Sequence, residues 1–218
     1  MNGADTLIKT LLACDVDACF TNPGTSEMHF VAALDKEPQM RSVLGLFEGA
    51  VTGAADGYAR MRGKPAATLL HLGPGLANGL ANLHNARRAN SPIVNVVGEH
   101  ATYHRHLDAP LTSDIEGFAR PVSGWIKVSE HADTVAADGA AAVAAAMSPP
   151  GQIATLILPA DTAWTDTDAG VAQLPAIAPA SRATPDWDSL LSALRSGDPI
   201  ALLVNGKAVL SPCLEQLG

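Results

Sequence analysis

The chain has few charged residues, few aromatic residues and few cysteines. Charged residues make up 17% of the 218 residues, and the net charge of -8 comes without any block of Lys or Arg. A binding surface for nucleic acid or for an anionic membrane is therefore not expected. Cys14, Cys19 and Cys213 are scattered and do not have the spacing of metal ligands, so the sequence predicts reduced thiols and no metal site.

A secretion signal and a long apolar segment are also missing. The amino-terminal sequence MNGADTLIKT has no basic region followed by an apolar core. No apolar run approaches the roughly 20 residues that a membrane span requires. Since 47% of the residues are hydrophobic, the chain has ample material for a buried core. The sequence thus predicts a globular, cytoplasmic protein that does not interact with membranes.

Strand patterns and helix patterns alternate along the first 165 residues. Helical spacing of apolar residues predicts several helices, among them 4–12, 49–62, 75–89 and 132–147. The predicted strands are 18–20, 41–47, 66–71, 93–98, 124–128 and 153–158. This alternation predicts an α/β fold, in which a mostly parallel sheet is flanked by helices in a three-layer sandwich. Ligands of such sheets bind outside the carboxyl ends of the strands.

The pattern changes after residue 165, where the first predicted domain ends. Residues 166–185 contain three prolines among Ala, Asp and Thr, which predicts an extended linker. A helix over 186–196 and an apolar strand over 200–204 predict the start of a second α/β domain at 186–218. About 30 residues cannot bury a core of their own, so either this second domain is truncated or the segment packs on the first domain.

Glu48 stands between an apolar run and a segment of small residues. Leu44, Leu46 and Phe47 are interpreted as the end of a buried strand. Residues 49–57 are mostly Gly and Ala, which would let another backbone or a flat ligand approach closely. A carboxylate in such surroundings favours a functional role. The alternative interpretation is a first-turn acid that complements the helix dipole.

Three short motifs lie beside the predicted strand ends. They are TNPGTSE at 21–27, FEGAVTGAADGYAR at 47–60 and HLGPGLAN at 71–78. In this order they resemble the pyrimidine-binding domain of thiamine diphosphate enzymes, in the branch that contains acetolactate synthase and benzoylformate decarboxylase. The resemblance covers residues 1–165. It implies thiamine diphosphate as the cofactor, a small 2-oxo acid as the substrate, and carboligation or decarboxylation as the reaction.

The resemblance also implies roles for individual residues. Glu48 matches the family's glutamate, whose carboxyl group hydrogen-bonds to a pyrimidine ring nitrogen and promotes the imino tautomer of the cofactor. A carboxyl group in an apolar pocket suits this role, because burial disfavours its charged form. The remaining cofactor-binding residues implied are Pro23, Gly24, Thr25, Gly73, Gly75 and Asn78.

His71 matches the position of a catalytic histidine in benzoylformate decarboxylase, which implies proton transfer to the bound intermediate. The alternative is a satisfied polar residue at the end of a strand. Thr25 falls where that enzyme carries an active-site Ser. Gly49 departs from the pattern of acetolactate synthases, which have Gln directly after the glutamate.

The motif around Gly75 has a second interpretation, because a helix beginning there offers free N–H groups to a phosphate. The resemblance instead implies that the diphosphate is held through Mg²⁺ by a third domain with a Gly-Asp-Gly motif followed by Asn. These 218 residues do not contain that motif, so the chain alone is expected to be inactive. The resemblance leaves open whether a middle domain, beginning near residue 186, carries FAD.

The assembly implied is a homodimer or tetramer formed through the pyrimidine domains, with the small-residue helix 49–62 packed against a second copy. His100, His104 and His106 form a histidine-rich segment without the spacing of a closed metal site, and a loop facing solvent is the preferred interpretation. The competing hypothesis for the whole chain is a non-catalytic α/β module, regulatory or nucleotide-binding, that reuses the same scaffold.

Overall fold

The computed structural model describes residues 1–177, 179, 184–209 and 214–216. Cys213 and parts of the predicted linker and second domain lie outside these residues. The chain divides into two units, Met1–Pro179 and Ala180–Gly218. The first unit contains the sheet and all three motifs.

Six strands form one parallel sheet in the first unit. They are β1 (Ala18–Asn22), β2 (Arg41–Leu44), β3 (Ala66–Leu70), β4 (Ile93–Glu99), β5 (Trp125–Val128) and β6 (Ile153–Pro159). Their order across the sheet is β2-β1-β3-β4-β6-β5, and every neighbouring pair is parallel. The predicted α/β fold with a parallel sheet flanked by helices is confirmed.

Helices cover both faces of this sheet. They are α1 (Gly3–Ala13), α2 (Met28–Lys36), α3 (Glu48–Arg62), α4 (Leu72–Arg88), α5 (Ile115–Ala119), α6 (Val135–Met147) and α7 (Ala160–Trp164). One core contains apolar residues of α1, α2 and α6, and the other contains residues of α3, α4 and α5. Because both faces are covered, every position of β3, β4 and β6 is buried, as expected for central parallel strands.

A polar ladder crosses the centre of the sheet. Thr68 Oγ1 donates a hydrogen bond to Asn95 Oδ1 at 2.9 Å, and Asn95 Nδ2 donates to Thr155 Oγ1 at 3.3 Å. All three side chains are fully buried, and they lie on paired positions of β3, β4 and β6. The ladder satisfies polar groups that would otherwise cost free energy in the core, and it connects three neighbouring strands through side chains.

The prediction of a buried strand leading to Glu48 is wrong. β2 ends at Leu44 rather than at Phe47, and the exposed fractions of Leu44, Leu46 and Phe47 are 66%, 93% and 53%. The physical reason is the position of β2 at the edge of the sheet, where only β1 lies beside it. The apolar run therefore lies on the surface of this chain.

Other differences from the predicted elements are smaller. α4 begins three residues before the predicted Gly75, and α5 and α7 lie in segments for which no helix was expected. Residues 200–205 are irregular instead of forming a strand. An extended segment needs hydrogen-bonding partners to become a strand, and nothing in the sequence of that segment identifies one.

Residues 166–172 belong to the first unit and form hydrogen bonds with its amino-terminal segment. Asp166 forms a bridge with Asn2, and the Thr167 N–H donates to Met1 O at 2.8 Å. The Ala172 N–H donates to Thr10 Oγ1 at 3.1 Å. The boundaries at residues 165 and 185 stay a prediction.

The second unit contains α8 (Trp187–Arg195), an amphipathic helix with no buried residue. Among the described helices of the chain, none is both long enough and apolar enough to cross a membrane.

Cys14 and Cys19 are free and buried, and burial raises the pKa of the Cys19 thiol to about 12. Cys19 is therefore protonated at neutral pH.

Helices α3 and α4 pack closely because both present small residues at their contact. Thr52 Oγ1 lies 3.0 Å from Glu48 O and 3.1 Å from Gly79 O, and its hydroxyl group can donate a hydrogen bond to either carbonyl oxygen. A methyl group on Gly79 would lie only 2.8 Å from Thr52 Cγ2. Gly79 thus sets the distance between the two helices.

We expect Gly79→Ala to lower the free energy of unfolding by about 1–3 kcal/mol, the usual cost of overpacking a tight contact. The matched control is Gly57→Ala on the exposed side of α3, where an added methyl group meets no atom within 4 Å. This control should be neutral or raise stability by about 0.5–1 kcal/mol, because Ala is the better helix former. Urea denaturation measures both.

Thr52→Ser removes Cγ2 and keeps the hydroxyl group. Combined with Gly79→Ala, it should recover most of the lost stability if the clash is the cause. A double variant as unstable as Gly79→Ala alone would contradict this account of the helix contact.

Candidate functional site

The predicted site residues lie at one edge of the sheet. β1 pairs with β3 at Asn22 and Leu70, and β3 pairs with β4 at Leu70 and Val97. The segments that follow these three strands therefore begin side by side at their carboxyl ends, the usual place for a ligand in a parallel sheet. The amino terminus of α3 lies at the same edge, because it packs against α4, which follows β3.

Glu48 is the first residue of α3, and it is 8% exposed. Asn78 of α4 donates a hydrogen bond from Nδ2 to Glu48 Oε2 at 3.0 Å. Among the described residues, Glu48 Oε1 has no hydrogen-bond partner. The structure thus brings together two predicted site residues and leaves one carboxyl oxygen of Glu48 available for a ligand.

Gly75 lies between Glu48 and His71. A methyl group on Gly75 would lie 3.1 Å from Glu48 Oε1 and 3.4 Å from His71 Cβ. A side chain on Gly73 would collide with Ser113, which comes from the segment after β4. Glycine is therefore required at position 73, and at position 75 an added methyl group would crowd the Glu48 carboxyl group.

The start of α4 differs from the helix predicted to begin at Gly75. The Gly75 N–H donates to His71 O at 2.8 Å, so it is not free for a phosphate. Pro74 has no N–H at all. The Gly75 and Pro74 positions therefore offer no donor to a phosphate, and the phosphate interpretation of the whole helix start stays a hypothesis.

Leu72 directs the chain from β3 into α4 with a backbone angle that is uncommon for its residue type. Its φ is +51°, in the left-handed region, and its side chain is 1% exposed. Such a conformation in a bulky residue costs of the order of 1–3 kcal/mol and persists where packing imposes it. The strain lies directly beside His71.

His71 precedes α4 and contacts a residue that the sequence analysis did not identify. His71 Nδ1 lies 2.8 Å from Glu27 Oε2, and the Gly24 N–H donates to the same oxygen at 2.7 Å. Glu27 is 2% exposed. The sequence carried no capping-box signature for Glu27, because the cap residue Gly24 has no side chain.

Gly24 is in contact with the ring of His71. A side chain on Gly24 would collide with that ring, so glycine is required here. Pro23 is partly buried in the same loop, and Thr25 is exposed at the start of a 3-10 turn. Neither Pro23 nor Thr25 forms a side-chain hydrogen bond to another described residue.

Glu99 ends β4 at the same edge of the sheet and was not predicted. Burial raises the pKa of Glu99 above its ordinary value, while the His100 N–H, which donates to Oε1 at 2.7 Å, opposes this shift.

The rings of His100 and His104 lie 5.6 Å apart, and His100 Nε2 donates to Pro110 O at 3.1 Å. Within the described part of the chain, no three His, Cys, Asp or Glu side chains are arranged to hold a metal ion.

The arrangement offers two groups for proton chemistry. Glu48 has one carboxyl oxygen held by Asn78 and one without a partner in the described part of the chain. His71 has one ring nitrogen held by Glu27, and its side chain is 24% exposed. A carboxyl group and an imidazole can each hold or move a proton, and the glycines between them leave room for a flat group.

The chain is similar to several known proteins. It is 60% identical over 214 residues to the "Putative acetolactate synthase large subunit IlvX" of Mycobacterium tuberculosis, covering 98% of this chain and 41% of that protein. It is 33% identical over 190 residues to benzoylformate decarboxylase of Pseudomonas aeruginosa, covering 84% and 35%. The chain thus spans less than half the length of these relatives.

The fold resembles that of a solved structure, the thiamine diphosphate-dependent 4-hydroxybenzoylformate decarboxylase of Rhodococcus jostii RHA1. The TM-score is 0.77 and the sequence identity is 24%, over 90% of this chain and 38% of that one. The family described as "Thiamine pyrophosphate enzyme, N-terminal TPP binding domain" matches residues 1–120, which is more than half of the chain. This chain therefore belongs to the thiamine pyrophosphate enzymes and contains their N-terminal cofactor-binding domain.

Proposed function

We propose that this chain is the pyrimidine-binding part of an enzyme that acts on a small 2-oxo acid, either as an acetolactate synthase-like carboligase or as a benzoylformate-type decarboxylase. The observation that carries the proposal is the environment of Glu48. Its carboxyl group is buried at the carboxyl edge of the sheet, with Oε2 held by Asn78 and Oε1 without a partner among the described residues.

The residues present fit an aminopyrimidine ring. Such a ring is flat, and Gly73 and Gly75 provide backbone without side chains beside Glu48 and His71. Its ring nitrogen accepts a hydrogen bond, and a protonated Glu48 Oε1 would donate one. Thiamine diphosphate bound beside Glu48 and His71 would supply a carbon nucleophile suited to the carbonyl carbon of a 2-oxo acid.

Glu48 holds the proton that the ring nitrogen requires. The Asn78 amide N–H occupies Oε2, so Oε1 is the oxygen that carries the proton and donates it. The hydrogen bond from Asn78 also fixes the rotation of the carboxyl group. Gly75 lets Oε1 lie against backbone, because any side chain at that position would crowd it.

His71 moves a proton to or from the reacting part of the substrate through Nε2. Its Nδ1 is occupied by Glu27, and its ring is held against Gly24. Pro23 and Thr25 complete the loop that lies beside this ring. Mg²⁺ and the diphosphate are held by a part of the protein outside residues 1–165, and any FAD by a middle domain.

We expect Glu48→Gln to lower turnover of the full-length enzyme by about 10² to 10⁴, the usual contribution of a positioned acid or base. Thermal stability should stay equal or rise slightly, because a buried ionisable group is removed. Hydrogen–deuterium exchange at C2 of the bound cofactor measures the effect on activation directly. It should slow in the variant.

Glu116→Gln is the matched control, because Glu116 is an exposed acid in the first turn of α5. Its neutralisation should cost about 0.3–1 kcal/mol of stability at most and leave turnover unchanged. If Glu48→Gln behaved like Glu116→Gln, with C2 exchange at the rate of the unsubstituted enzyme, Glu48 would be a simple first-turn acid and the proposal would fail.

The exposed apolar residues before Glu48 support assembly through this face. Leu44, Leu46 and Phe47 are exposed within one short stretch directly before α3. Exposed apolar side chains that cluster in this way are typical of interaction sites. We infer that a second copy of the chain covers them in a homodimer.

We expect Leu46→Glu to weaken this dimer by at least about tenfold, because a charge would be buried among apolar side chains. Leu107→Glu is the control, since Leu107 is also exposed, at 61%, but lies in the segment after β4. Sedimentation equilibrium of both variants measures the change. A strictly monomeric unsubstituted protein, or equal dissociation constants for the two variants, would overturn the inferred interface.

A further inference from the structure

Glu27 carries a buried carboxylate that the mechanism above mentions only as the neighbour of His71 Nδ1. We propose that Glu27 is a positioning residue: it holds His71 in the tautomer that has its proton on Nδ1, and so leaves Nε2 as the proton acceptor. The tautomer is a property of the chain itself. Its consequence for catalysis rests on the proposed function of His71.

The hydrogen bonds of Glu27 Oε2 determine the tautomer. In the proposed arrangement Glu27 is an ionised carboxylate, which only accepts hydrogen bonds, and His71 Nδ1 donates to Oε2 across 2.8 Å. The Gly24 N–H donates to the same oxygen at 2.7 Å and fixes its position. A neutral imidazole has one donor and one acceptor nitrogen, so a protonated Nδ1 leaves a lone pair on Nε2.

The surroundings of the carboxylate are shaped to accommodate it. A side chain on Gly98 of β4 would collide with Glu27 Oε1, and a side chain on Gly24 would collide with the ring of His71. Glycine at these two positions gives the pair room on both sides. The segment after β1, strand β4 and the start of α4 therefore all contribute to the contact between Glu27 and His71.

Packing alone does not explain why a glutamate occupies position 27. Glu27 is 2% exposed, and its Oε1 is buried without a hydrogen-bond partner in the described part of the chain. A buried carboxylate with an unsatisfied oxygen costs free energy that an apolar side chain would not. His71 is the ionisable side chain that Glu27 contacts, so a proton taken up at Nε2 would create a positive charge beside this carboxylate.

The tautomer can be measured on the 218-residue chain by long-range ¹⁵N–¹H NMR of the histidine rings, with His71→Gln identifying the signals of His71. We expect a protonated Nδ1 in the unsubstituted chain and in Glu27→Gln, which keeps an acceptor oxygen. Glu27→Leu removes the acceptor, and we expect the proton to shift to Nε2, the nitrogen that usually carries it in free histidine.

Two further variants control this experiment. Gly98→Ala leaves Glu27 unchanged but removes the space for its carboxylate, so it should produce the same shift even if Glu27→Leu folds poorly. Glu130→Leu removes an exposed glutamate that pairs with Arg105, and it should leave the His71 signals unchanged. A protonated Nε2 in the unsubstituted chain, or an unchanged tautomer in both Glu27→Leu and Gly98→Ala, would overturn the proposal.

Turnover of the full-length enzyme separates this proposal from the proposed function. If both hold, Glu27→Leu should lower kcat by about 10²-fold, the lower range for a positioned base, and Glu27→Gln should lower it less. Unchanged turnover in His71→Gln would remove the catalytic role of His71 without altering the tautomer result. An unchanged tautomer would remove the positioning role whatever the turnover.

Discussion

The close packing of α3 against α4 is the contact on which the site depends. Thr52 and Gly79 let the two helices approach, and Asn82 Nδ2 adds a hydrogen bond to Gly49 O at 2.7 Å. At this distance Asn78 reaches Glu48 across the gap between the helices. A wider spacing would leave the Glu48 carboxyl group without its amide partner and free to rotate. The helix contact therefore determines which carboxyl oxygen of Glu48 is held by Asn78.

The two carboxylates of the site are buried for different reasons. Glu48 Oε2 accepts one hydrogen bond, from Asn78, and Oε1 has no partner among the described residues, which suits a group that exchanges a proton with a ligand. Glu27 lies deeper. Its Oε2 contacts both the Gly24 N–H and His71 Nδ1, while its Oε1 is buried without a partner in the described part of the chain. An oxygen held by two neighbours suits a group that orients another residue. Burial alone would not distinguish these roles, but the identity of the partners does.

Glycine has a specific function at several positions of the site, and that function is steric. Gly24, Gly75 and Gly98 each lie where a side chain would meet His71, Glu48 or Glu27. The three glycines come from segments that follow β1 and β3 and from β4 itself. Close contacts between backbone and functional side chains thus connect the three neighbouring strand ends into one site.

The sequence by itself determined the α/β fold, the parallel sheet and the motifs that carry Glu48, Asn78 and His71. Apolar periodicity and small-residue motifs are local properties, so they can be recognised in a single sequence. The edge position of β2 depends on the order of strands in the whole sheet and not on neighbouring residues. The run Leu44 to Phe47 is apolar, yet it lies on the surface because only β1 pairs with that strand. Its apolar character gave no indication that these side chains are exposed.

Only the tertiary structure decided the partners of the site residues. β1 lies beside β3 although β2 comes between them in the chain, and this order brings Glu27 to His71 across 44 positions of sequence. Glu27 resembled an ordinary acid in a turn, and Gly98 an ordinary residue at the end of a buried strand. Their roles come from distances between segments that are far apart in the chain, and a pattern of neighbouring residues does not contain those distances.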